Sequence, residues 1–171
     1  MRNIVLIGMM GTFKTSAGKI VAKKLKKDFI DTDKVLSKRF GMSINHYFNK
    51  FGEQSFREQE YLLCQELAQK GNLVISTGGG IVKNPENIHL LKQNGIIICL
   101  MASAEQIYSR VKNSKTRPLL NCPDPLGRIK QILTEREHLY ISLADTVIHN
   151  DYMTASQTAQ KIIEYIQENS L

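Results

Sequence analysis

The sequence is poor in cysteine, and its few cysteines are far apart. Cys64, Cys99 and Cys122 are odd in number, and no two of them form a CxxC pair. Neither a disulfide framework nor a cysteine-based metal site is indicated, and we expect reduced thiols, with Cys99 buried in a strand. The four histidines show no metal-ligand spacing, which also argues against a zinc centre.

Long hydrophobic runs are absent as well. The longest, residues 96–102, is far too short to cross a bilayer, and the apolar start at residues 4–7 is too short for a signal peptide. The 171 residues are 42% hydrophobic and 23% charged, which is typical of one globular domain with a real core. We therefore expect a single domain over residues 1–171 that is cytoplasmic and has no membrane partner.

Acidic residues are in the minority. There are 16 Asp and Glu against 23 Lys and Arg, which gives a formal net charge of +7 at pH 7. Such a balance is compatible with nucleic acid, with a membrane surface or with small anionic substrates. The alternation of aromatic and basic residues that is typical of RNA-binding modules is missing. Nucleic acid is therefore not an expected partner, and a nucleic-acid-binding protein stays an alternative that rests on net charge alone.

One pattern that binds phosphate is present. Residues 8–15 read GMMGTFKT, after a short apolar run and before a helix-like pattern. A strand, a glycine-bearing turn and a helix form a cradle in which backbone N–H groups and the positive helix end bind an anion. We expect Lys14 to reach the β- and γ-phosphates of a nucleotide and the Thr15 hydroxyl to hold Mg²⁺.

One position of this pattern is unusual. The pattern has glycine directly before the lysine, and this chain has Phe13. A side chain there is expected to cost on the order of 1 kcal/mol in backbone strain. Its ring would either crowd the nucleotide or point outward, and we expect weakened ATP binding. A P-loop relative that binds ligand without efficient turnover is the alternative that this residue supports.

The pattern of apolar and polar residues predicts an α/β fold. Apolar, β-branched runs predict five strands, at residues 3–7, 28–31, 73–76, 96–100 and 146–149. Helical patterns separate them, at residues 16–27, 33–40, 44–51, 52–70, 85–94, 104–112, 125–143 and 154–168. This alternation predicts three layers, with a five-stranded parallel sheet between helices. Ligands in such folds bind beyond the carboxyl ends of the strands.

Two acids lie at the end of the second predicted strand. Asp31 and Asp33 are two residues apart, so at a strand end their side chains point the same way. Beside a bound triphosphate, one would hold Mg²⁺ and the other would face a hydroxyl of the acceptor. The structural alternative is that Asp33 is the N-cap of the helix that follows.

A charged cluster marks the start of the long fourth helical pattern. Glu53, Arg57 and Glu60 share one helix face by their spacing. They are either a surface ladder of ion pairs or a site in which Glu60 holds the guanidinium while Arg57 grips a substrate carboxylate. Sequence spacing does not separate these two interpretations.

Two further segments lie where ligands are expected. Gly78, Gly79 and Gly80 follow the third strand and allow the backbone to approach a ligand closely. Residues 112–125 form a basic loop with several prolines, which is typical of a lid. A lid arginine such as Arg117 would stabilise the charge that phosphoryl transfer spreads over the γ-phosphate.

Taken in order, these motifs resemble those of the shikimate kinase family, small P-loop enzymes with a nucleoside monophosphate kinase-like fold. The matching pieces run along nearly the whole chain and are residues 8–16, Asp31-Thr32-Asp33, the segment FGEQSFREQE at 51–60, residues 77–80, residues 117–120, and Arg136 with Tyr140.

The resemblance implies a reaction and a set of residues for it. It implies transfer of the γ-phosphate of ATP to the 3-hydroxyl of shikimate, which yields 3-phosphoshikimate and ADP. The implied nucleotide-binding residues are Gly11, Thr12, Phe13, Lys14, Thr15, Ser16 and Arg117. The implied shikimate-binding residues are Asp33, Arg57, Gly78, Gly79, Gly80 and Arg136. The implied metal ligands for Mg²⁺ are Thr15 and Asp31, and the implied catalytic residues are Asp33, Lys14 and Arg117.

The resemblance also suggests how the chain is organised. A substrate-binding segment at about residues 33–61 and a lid at about residues 112–125 would belong to one domain. ATP and shikimate are the expected partners of a monomer. The sequence does not show which residues hold the adenine, and the loop after the last predicted strand, at residues 150–154, is a candidate. A kinase of the same fold that acts on another small hydroxy acid, such as gluconate, stays an alternative.

Overall fold

A computed structural model describes residues 2–113 and 122–170 of the chain. The expectations for Arg117 and for the middle of the proposed lid lie outside these residues.

The centre of the molecule is one parallel sheet. Its strands are β1 (Asn3–Ile7), β2 (Asp28–Asp31), β3 (Leu73–Ser76), β4 (Gly95–Met101) and β5 (Thr146–His149). They lie in the order β2-β3-β1-β4-β5, and every neighbouring pair is parallel. β1 is central, with Val5 opposite Ile75 on one side and Ile97 on the other. The order reverses at β1, and ligands bind at such a switch point.

Helices connect the strands. They are α1 (Lys14–Leu25), α2 (Thr32–Phe40), α3 (Ile44–Ala68), α4 (Pro85–Lys92), α5 (Ala104–Val111), α6 (Pro125–Leu143) and α7 (Ala155–Glu168). A short 3₁₀ helix, Ile81–Lys83, precedes α4. α3 contains a kink at Gly52, whose φ of 82° and ψ of 166° are not helical.

The core has two layers because β1 buries both of its faces. Ile4 and Leu6 pack with α1 and α7 on one side of the sheet. Val5 and Ile7 belong to the larger cluster on the other side, to which α2 to α6 contribute. Alternate residues of a strand point to opposite faces, so a continuous apolar run is what a strand buried on both sides requires.

The helix starts differ in one way that matters for the site. Six of the described α-helices begin at a side chain that accepts a hydrogen bond from a first-turn N–H, namely Asp31, Ser43, Asn84, Ser103, Asp124 and Thr154. α1 begins after Phe13, which makes no such bond. Its first amide groups are thus left for another acceptor.

The predicted α/β class and the five parallel strands are confirmed, and the differences lie at element ends. β4 extends one residue beyond the prediction at each end, and α1 begins two residues earlier and ends two residues earlier. The break predicted at residue 52 is the kink of α3, while the 3₁₀ helix was not predicted. Within residues 2–113 and 122–170, no helix is both long and apolar enough to span a membrane.

Candidate active site

The loop between β1 and α1 depends on two of its glycines. Gly8 and Gly11 have φ values of 137° and 75°, which residues with side chains rarely adopt. A Cβ on Gly8 would collide with the backbone carbonyl of Leu100, and one on Gly11 would lie 2.9 Å from Val111 Cγ1. β4 and α5 press so closely against the loop that only glycine fits at both places.

Two polar side chains fold back onto this loop. Thr12 Oγ1 and Lys14 Nζ both donate to the carbonyl of Met9, each at 2.8 Å. Lys14 is buried at the start of α1, and Ser16 in the same turn lines the cavity in front of it. The ammonium group is therefore held beside backbone N–H groups without a side-chain cap, at a helix end that attracts anions.

Three side chains with oxygen atoms meet beside Lys14. Thr15 Oγ1 donates to Asp31 Oδ2 at 2.9 Å and lies 3.2 Å from Ser76 Oγ. The other carboxylate oxygen of Asp31 accepts from the backbone N–H of Lys34 at 3.2 Å. Asp31, and not Asp33, is thus the N-cap of α2, because the helix begins before Asp33.

This oxygen set suits a magnesium ion that arrives with phosphates. Hydroxyl and carboxylate oxygens are the ligands that Mg²⁺ prefers, and it usually takes one or two carboxylates plus substrate phosphates. Among the residues that the structure describes, no group of three or more His, Cys, Asp and Glu side chains is arranged to hold a metal. Thr15 and Asp31 therefore fit an ion whose other ligands come from a nucleotide and water.

Asp33 points in a different direction from Asp31. It lies in the first turn of α2, and its Oδ1 would be 2.6 Å from a Cβ placed on Gly78. The Gly78 N–H in turn donates to Thr32 Oγ1 at 3.1 Å. Because Gly78 has no side chain, the carboxylate of Asp33 can lie directly against the backbone after β3.

A cavity of about 940 Å³ opens in front of the loop, and we call it the loop cavity. Among the residues that line it are the predicted phosphate, metal and acceptor residues Gly11, Phe13, Lys14, Thr15, Ser16, Asp31 and Asp33. The structure therefore brings the two predicted acids and the phosphate-binding turn to one space at the carboxyl end of the sheet.

Arg57 is held between two carboxylates. Its Nη1 donates to Glu60 Oε2 at 2.7 Å, and its Nη2 donates to Glu53 Oε1 at 3.1 Å. Lys83 Nζ, from the 3₁₀ helix, contacts the same Glu53 oxygen at 2.5 Å. The predicted i,i+4 and i,i+3 ion pairs are therefore present, and Lys83 joins them from a second element.

The two glutamates of this cluster have opposite pKa shifts. Glu60 is only 1% exposed, and its burial raises its pKa although the charge of Arg57 opposes the shift. Glu53 is far more exposed, and the hydrogen bond from Lys83, followed by that from Arg57, lowers its pKa. Glu60 is thus the buried partner of the guanidinium, and Glu53 is its exposed partner.

The remaining predicted residues meet at the turn after β3 that consists of Gly78, Gly79 and Gly80, which we call the glycine turn. Arg136 Nη1 donates to the carbonyl of Gly79 at 3.3 Å, and the Tyr140 hydroxyl donates to the same oxygen. A Cβ on Gly80 would collide with the guanidinium of Arg57. α3 and α6 therefore bring two arginines to one turn that has no side chains.

These residues line a second space of about 870 Å³, the arginine cavity. Its lining includes Arg57, Arg136, Lys83, Glu53, Glu60, Phe48 and the three glycines. It shares three lining residues with the loop cavity, Met10, Asp33 and Gly79. The loop before α1 and the pair of arginines thus line two spaces that share Asp33.

Phe13 lies at the wall of the loop cavity and packs against Arg110 and the apolar cluster that includes α1 and α7. Its φ of 65° and ψ of 16° are left-handed, and its ring lies 4.2 Å below the guanidinium carbon of Arg110. Arg110 Nη1 also donates to the carbonyl of Gly11 at 3.1 Å, and Arg110 lines the loop cavity. The ring therefore packs against a neighbour at the wall of the cavity.

Sequence reasoning missed Arg110 and Lys83. The partners of both residues lie in remote parts of the chain. In a helical sequence pattern, each residue therefore looks like a solvated basic side chain. Asn150 was only placed near a ligand, yet it is fully buried and donates to the carbonyl of Thr12 at 2.9 Å. Its position directly after β5, at the ligand edge of the sheet, was the available signal.

Comparison with known proteins agrees with this geometry. The family model described as shikimate kinase matches residues 10–167. The chain belongs to the shikimate kinase family. A shikimate kinase from Pelotomaculum thermopropionicum is 47% identical over 99% of this chain and 98% of that protein. One from Thermodesulfovibrio yellowstonii is 48% identical over 96% of this chain and 94% of that protein.

Solved structures of the shikimate kinase family have the same fold. Shikimate kinase from Acinetobacter baumannii, in a complex with shikimate, superposes with a TM-score of 0.94 at 35% identity over 100% of this chain and 96% of that one. The family resemblance and the kinase activity predicted from the motifs are therefore confirmed. The matched region includes Asp33, where the two cavities meet.

Proposed function

We propose that this chain transfers the γ-phosphate of ATP to the 3-hydroxyl of shikimate and releases 3-phosphoshikimate and ADP. The observation that carries the proposal is the meeting of the loop cavity and the arginine cavity at Asp33. Membership of the shikimate kinase family and similarity to a shikimate-bound structure support the choice of acceptor.

The nucleotide phosphates occupy the loop cavity. Backbone N–H groups between Gly11 and Ser16, left without a side-chain cap at the start of α1, bind the phosphate oxygens. Lys14 already lies in this turn, 2.8 Å from the carbonyl of Met9, and a modest rotation brings its ammonium group to the β- and γ-phosphates. Positioning and charge neutralisation are what phosphoryl transfer requires most.

Thr15 and Asp31 hold Mg²⁺ in this proposal. The metal, when bound, neutralises charge on the β- and γ-phosphates. The support is the oxygen set itself: the Thr15 hydroxyl lies 2.9 Å from Asp31 Oδ2 and 3.2 Å from Ser76 Oγ. The carboxylate is fixed by its bond to the start of α2, so a ligand oxygen is ready before the metal arrives.

Shikimate binds in the arginine cavity. Arg57 and Arg136 hold its carboxylate from two sides, and the backbone of Gly78 to Gly80 lies against its ring. The hydrogen bond that Arg57 Nη1 donates to Glu60 Oε2 at 2.7 Å keeps that guanidinium in place. Two guanidinium groups on one small acid provide the geometry that Arg offers and Lys does not.

Asp33 acts at the boundary between the two substrates. Its carboxylate binds a shikimate hydroxyl and accepts the hydroxyl proton while the oxygen bonds to the γ-phosphorus and the bond to ADP breaks. A carboxylate in hydrogen-bond reach of the attacking hydroxyl is the usual arrangement for such a general base. Arg117 lies outside the described residues, and its role as a lid arginine over the γ-phosphate stays a prediction.

The proposal is tested by phosphate transfer from ATP to shikimate in a coupled ADP-release assay. Asp33→Asn and Arg57→Ala should each lose most of the activity, Asp33→Asn mainly in kcat and Arg57→Ala mainly in the KM for shikimate. The matched controls are Asp28→Asn and Arg39→Ala, two exposed residues outside both cavities. Both controls should keep the activity of the wild type.

The same assay decides between the alternatives. ADP release that depends on gluconate and not on shikimate would assign the chain to another hydroxy acid. Binding of both ligands without ADP release would make it a relative without turnover, an alternative that rests on Phe13 alone. A monomeric state and a cytoplasmic location stay predictions, as does the division into one domain with a substrate-binding segment and a lid.

A further inference from the structure

Phe13 departs from glycine at a place where glycine would be conformationally free. Its φ of 65° is left-handed, a region that glycine enters easily and other residues enter at a cost. Gly8 and Gly11, by contrast, are needed because neighbours leave no room for a side chain. The loop has room for a side chain at position 13, and this chain fills that room with an aromatic ring.

Among the described residues, the ring packs against the apolar cluster that includes α1 and α7 and meets one cation, Arg110. It lies face-on to Arg110, with 4.2 Å between the guanidinium carbon and the ring centroid. This is well inside the roughly 6 Å within which a cation and an aromatic face attract each other. The contact lies at the wall of the loop cavity, which both residues line.

The edges of the same guanidinium are used by the backbone around the site. Nη1 donates to the carbonyl of Gly11 and to Asn150 Oδ1, each at 3.1 Å, and Nη2 donates to the carbonyl of Asn150 at 2.6 Å. Asn150 in turn donates to the carbonyl of Thr12 at 2.9 Å. Arg110 thus joins α5, the end of β5 and the phosphate-binding loop through its edges, while Phe13 supports its face.

We propose that Phe13 is a positioning residue for nucleotide binding, whose ring holds the Arg110 guanidinium as a fixed cationic wall of the loop cavity. The proposal rests on the proposed function in so far as a nucleoside diphosphate or triphosphate binds in that cavity. The residue with this role is thus the phenylalanine that this chain has in place of the glycine of the phosphate-loop pattern.

The physical reason is preorganisation. An arginine side chain has many rotamers, and a ligand that must order it loses affinity. A ring on one face and three hydrogen bonds on the edges leave the guanidinium a single position before the nucleotide arrives. The backbone cost of a left-handed Phe is then offset by a cation that does not need to be ordered on binding.

This inference reverses the expectation from the sequence alone. If Phe13 only strained the loop, Phe13→Gly would tighten nucleotide binding. If the ring positions Arg110, Phe13→Gly weakens nucleotide binding although it relieves the backbone. The two accounts therefore predict opposite signs for one measurement.

The experiment is calorimetric titration of the full chain with ADP and Mg²⁺, without shikimate. Phe13→Gly and Phe13→Leu should each raise the Kd for ADP by about fivefold, and Phe13→Tyr, which keeps the ring, should stay within about twofold of the wild type. Phe13→Leu keeps the strained backbone and removes the aromatic face, so it separates the ring from the strain. Thermal unfolding of each variant shows whether it is folded.

A double-mutant cycle with Arg110→Met tests whether Phe13 acts through Arg110. In the Arg110→Met chain, Phe13→Leu should leave the Kd for ADP unchanged. Tighter ADP binding by Phe13→Gly, or an effect of Phe13→Leu that persists without Arg110, would overturn the proposal.

The readout also separates this inference from the proposed function. ADP binding is measured without an acceptor, so failure of shikimate phosphorylation leaves the Phe13 result standing. A wild-type chain that phosphorylates shikimate while all Phe13 variants bind ADP equally would overturn the inference and keep the function. A wild-type chain that does not bind ADP would overturn both.

Discussion

At the scale of single residues, Glu60 shows how burial and charge compete in this site. Its carboxylate is 1% exposed, one oxygen bonds to Arg57 at 2.7 Å, and the other has no hydrogen-bond partner among the described residues. Burial therefore raises its pKa above the ordinary value of 4.5. The buried carboxylate that pairs with Arg57 therefore does so at a cost in stability.

The first prediction concerns the pH dependence that follows. The folded protein holds the Glu60 proton more tightly than the unfolded chain, so this residue stabilises the fold most below its unfolded pKa of 4.5. That contribution falls as pH rises from 4.5 towards the raised folded pKa. The free energy of unfolding of the wild type, minus that of Glu60→Gln, should therefore decrease over this window and then level off.

Urea unfolding of both proteins between the acidic range and neutrality measures this difference. The matched control is Glu58→Gln on the same helix, where the carboxylate is exposed. A difference for Glu60→Gln that rises with pH would contradict the assignment of burial as the dominant cause.

At the scale of elements, the kink in α3 decides where the charged cluster lies. Gly52 has a φ of 82° and a ψ of 166°, a region that is essentially limited to glycine. Immediately after it, Glu53 turns towards Arg57 and Lys83. Glu53, Arg57 and Glu60 all follow the kink, so the kink sets their position relative to the segment before Gly52, whose Ile44 and Phe48 line the same cavity.

The second prediction is that Gly52→Ala destabilises the fold by about 2 kcal/mol and raises the KM for shikimate. No atom lies within 4 Å of a Cβ at this place, so the loss comes from the backbone and not from a clash. Urea unfolding and steady-state kinetics measure the two effects.

Gly41→Ala is the matched control for this prediction. Gly41 ends α2 with a φ of 63° and also has open space around it, so it should cost only about 1 kcal/mol and leave the KM unchanged. A Gly52→Ala protein with full stability and an unchanged KM would show that the kink does not position the cluster.

The sequence predicted the elements well because the signal for them is local. Each central strand is an unbroken apolar run, and the run at β1 leads directly into the glycine loop. The element ends were less accurate, since helix starts depend on caps such as Asp31, whose carboxylate also bonds to Thr15, far away in the chain. Sequence spacing alone therefore does not show whether Asp31 or Asp33 caps the helix.

The contacts across the site could not be predicted in the same way. Arg110 meets Gly11 and Asn150, and Lys83 meets Glu53, only because the sheet order brings their elements together. Neither pair has a local pattern that differs from a solvated helix. The sequence showed that Phe13 replaces the glycine of the phosphate-loop pattern, but it did not show that the ring contacts Arg110.

At the scale of the whole molecule, two cavities built by different elements share one boundary. The loop cavity is formed around α1 and the carboxyl end of the sheet, and the arginine cavity is formed by α3, the glycine turn and α6. Each therefore has most of its binding groups without the other. We expect each ligand to bind and stabilise the protein by itself.

The third prediction follows from this division. ADP with Mg²⁺ alone, and shikimate alone, should each raise the unfolding temperature, with a stabilisation of about 2.7 kcal/mol at a ligand concentration of 100 times Kd. Arg57→Ala should lose the response to shikimate and keep the response to ADP, and Thr15→Val should do the reverse. Differential scanning calorimetry measures both responses, and loss of both by one variant would contradict the division.

The boundary at Met10, Asp33 and Gly79 also defines a route for inhibitor design. One compound with a diphosphate at one end and a carboxylated ring at the other would span both spaces through that gap. Once one end of the compound is bound, binding of the other end is intramolecular and costs little further translational freedom. Such a bisubstrate compound should therefore bind far more tightly than either fragment. Its linker would have to be short and hydrogen-bonding, since it would pass directly beside the carboxylate of Asp33.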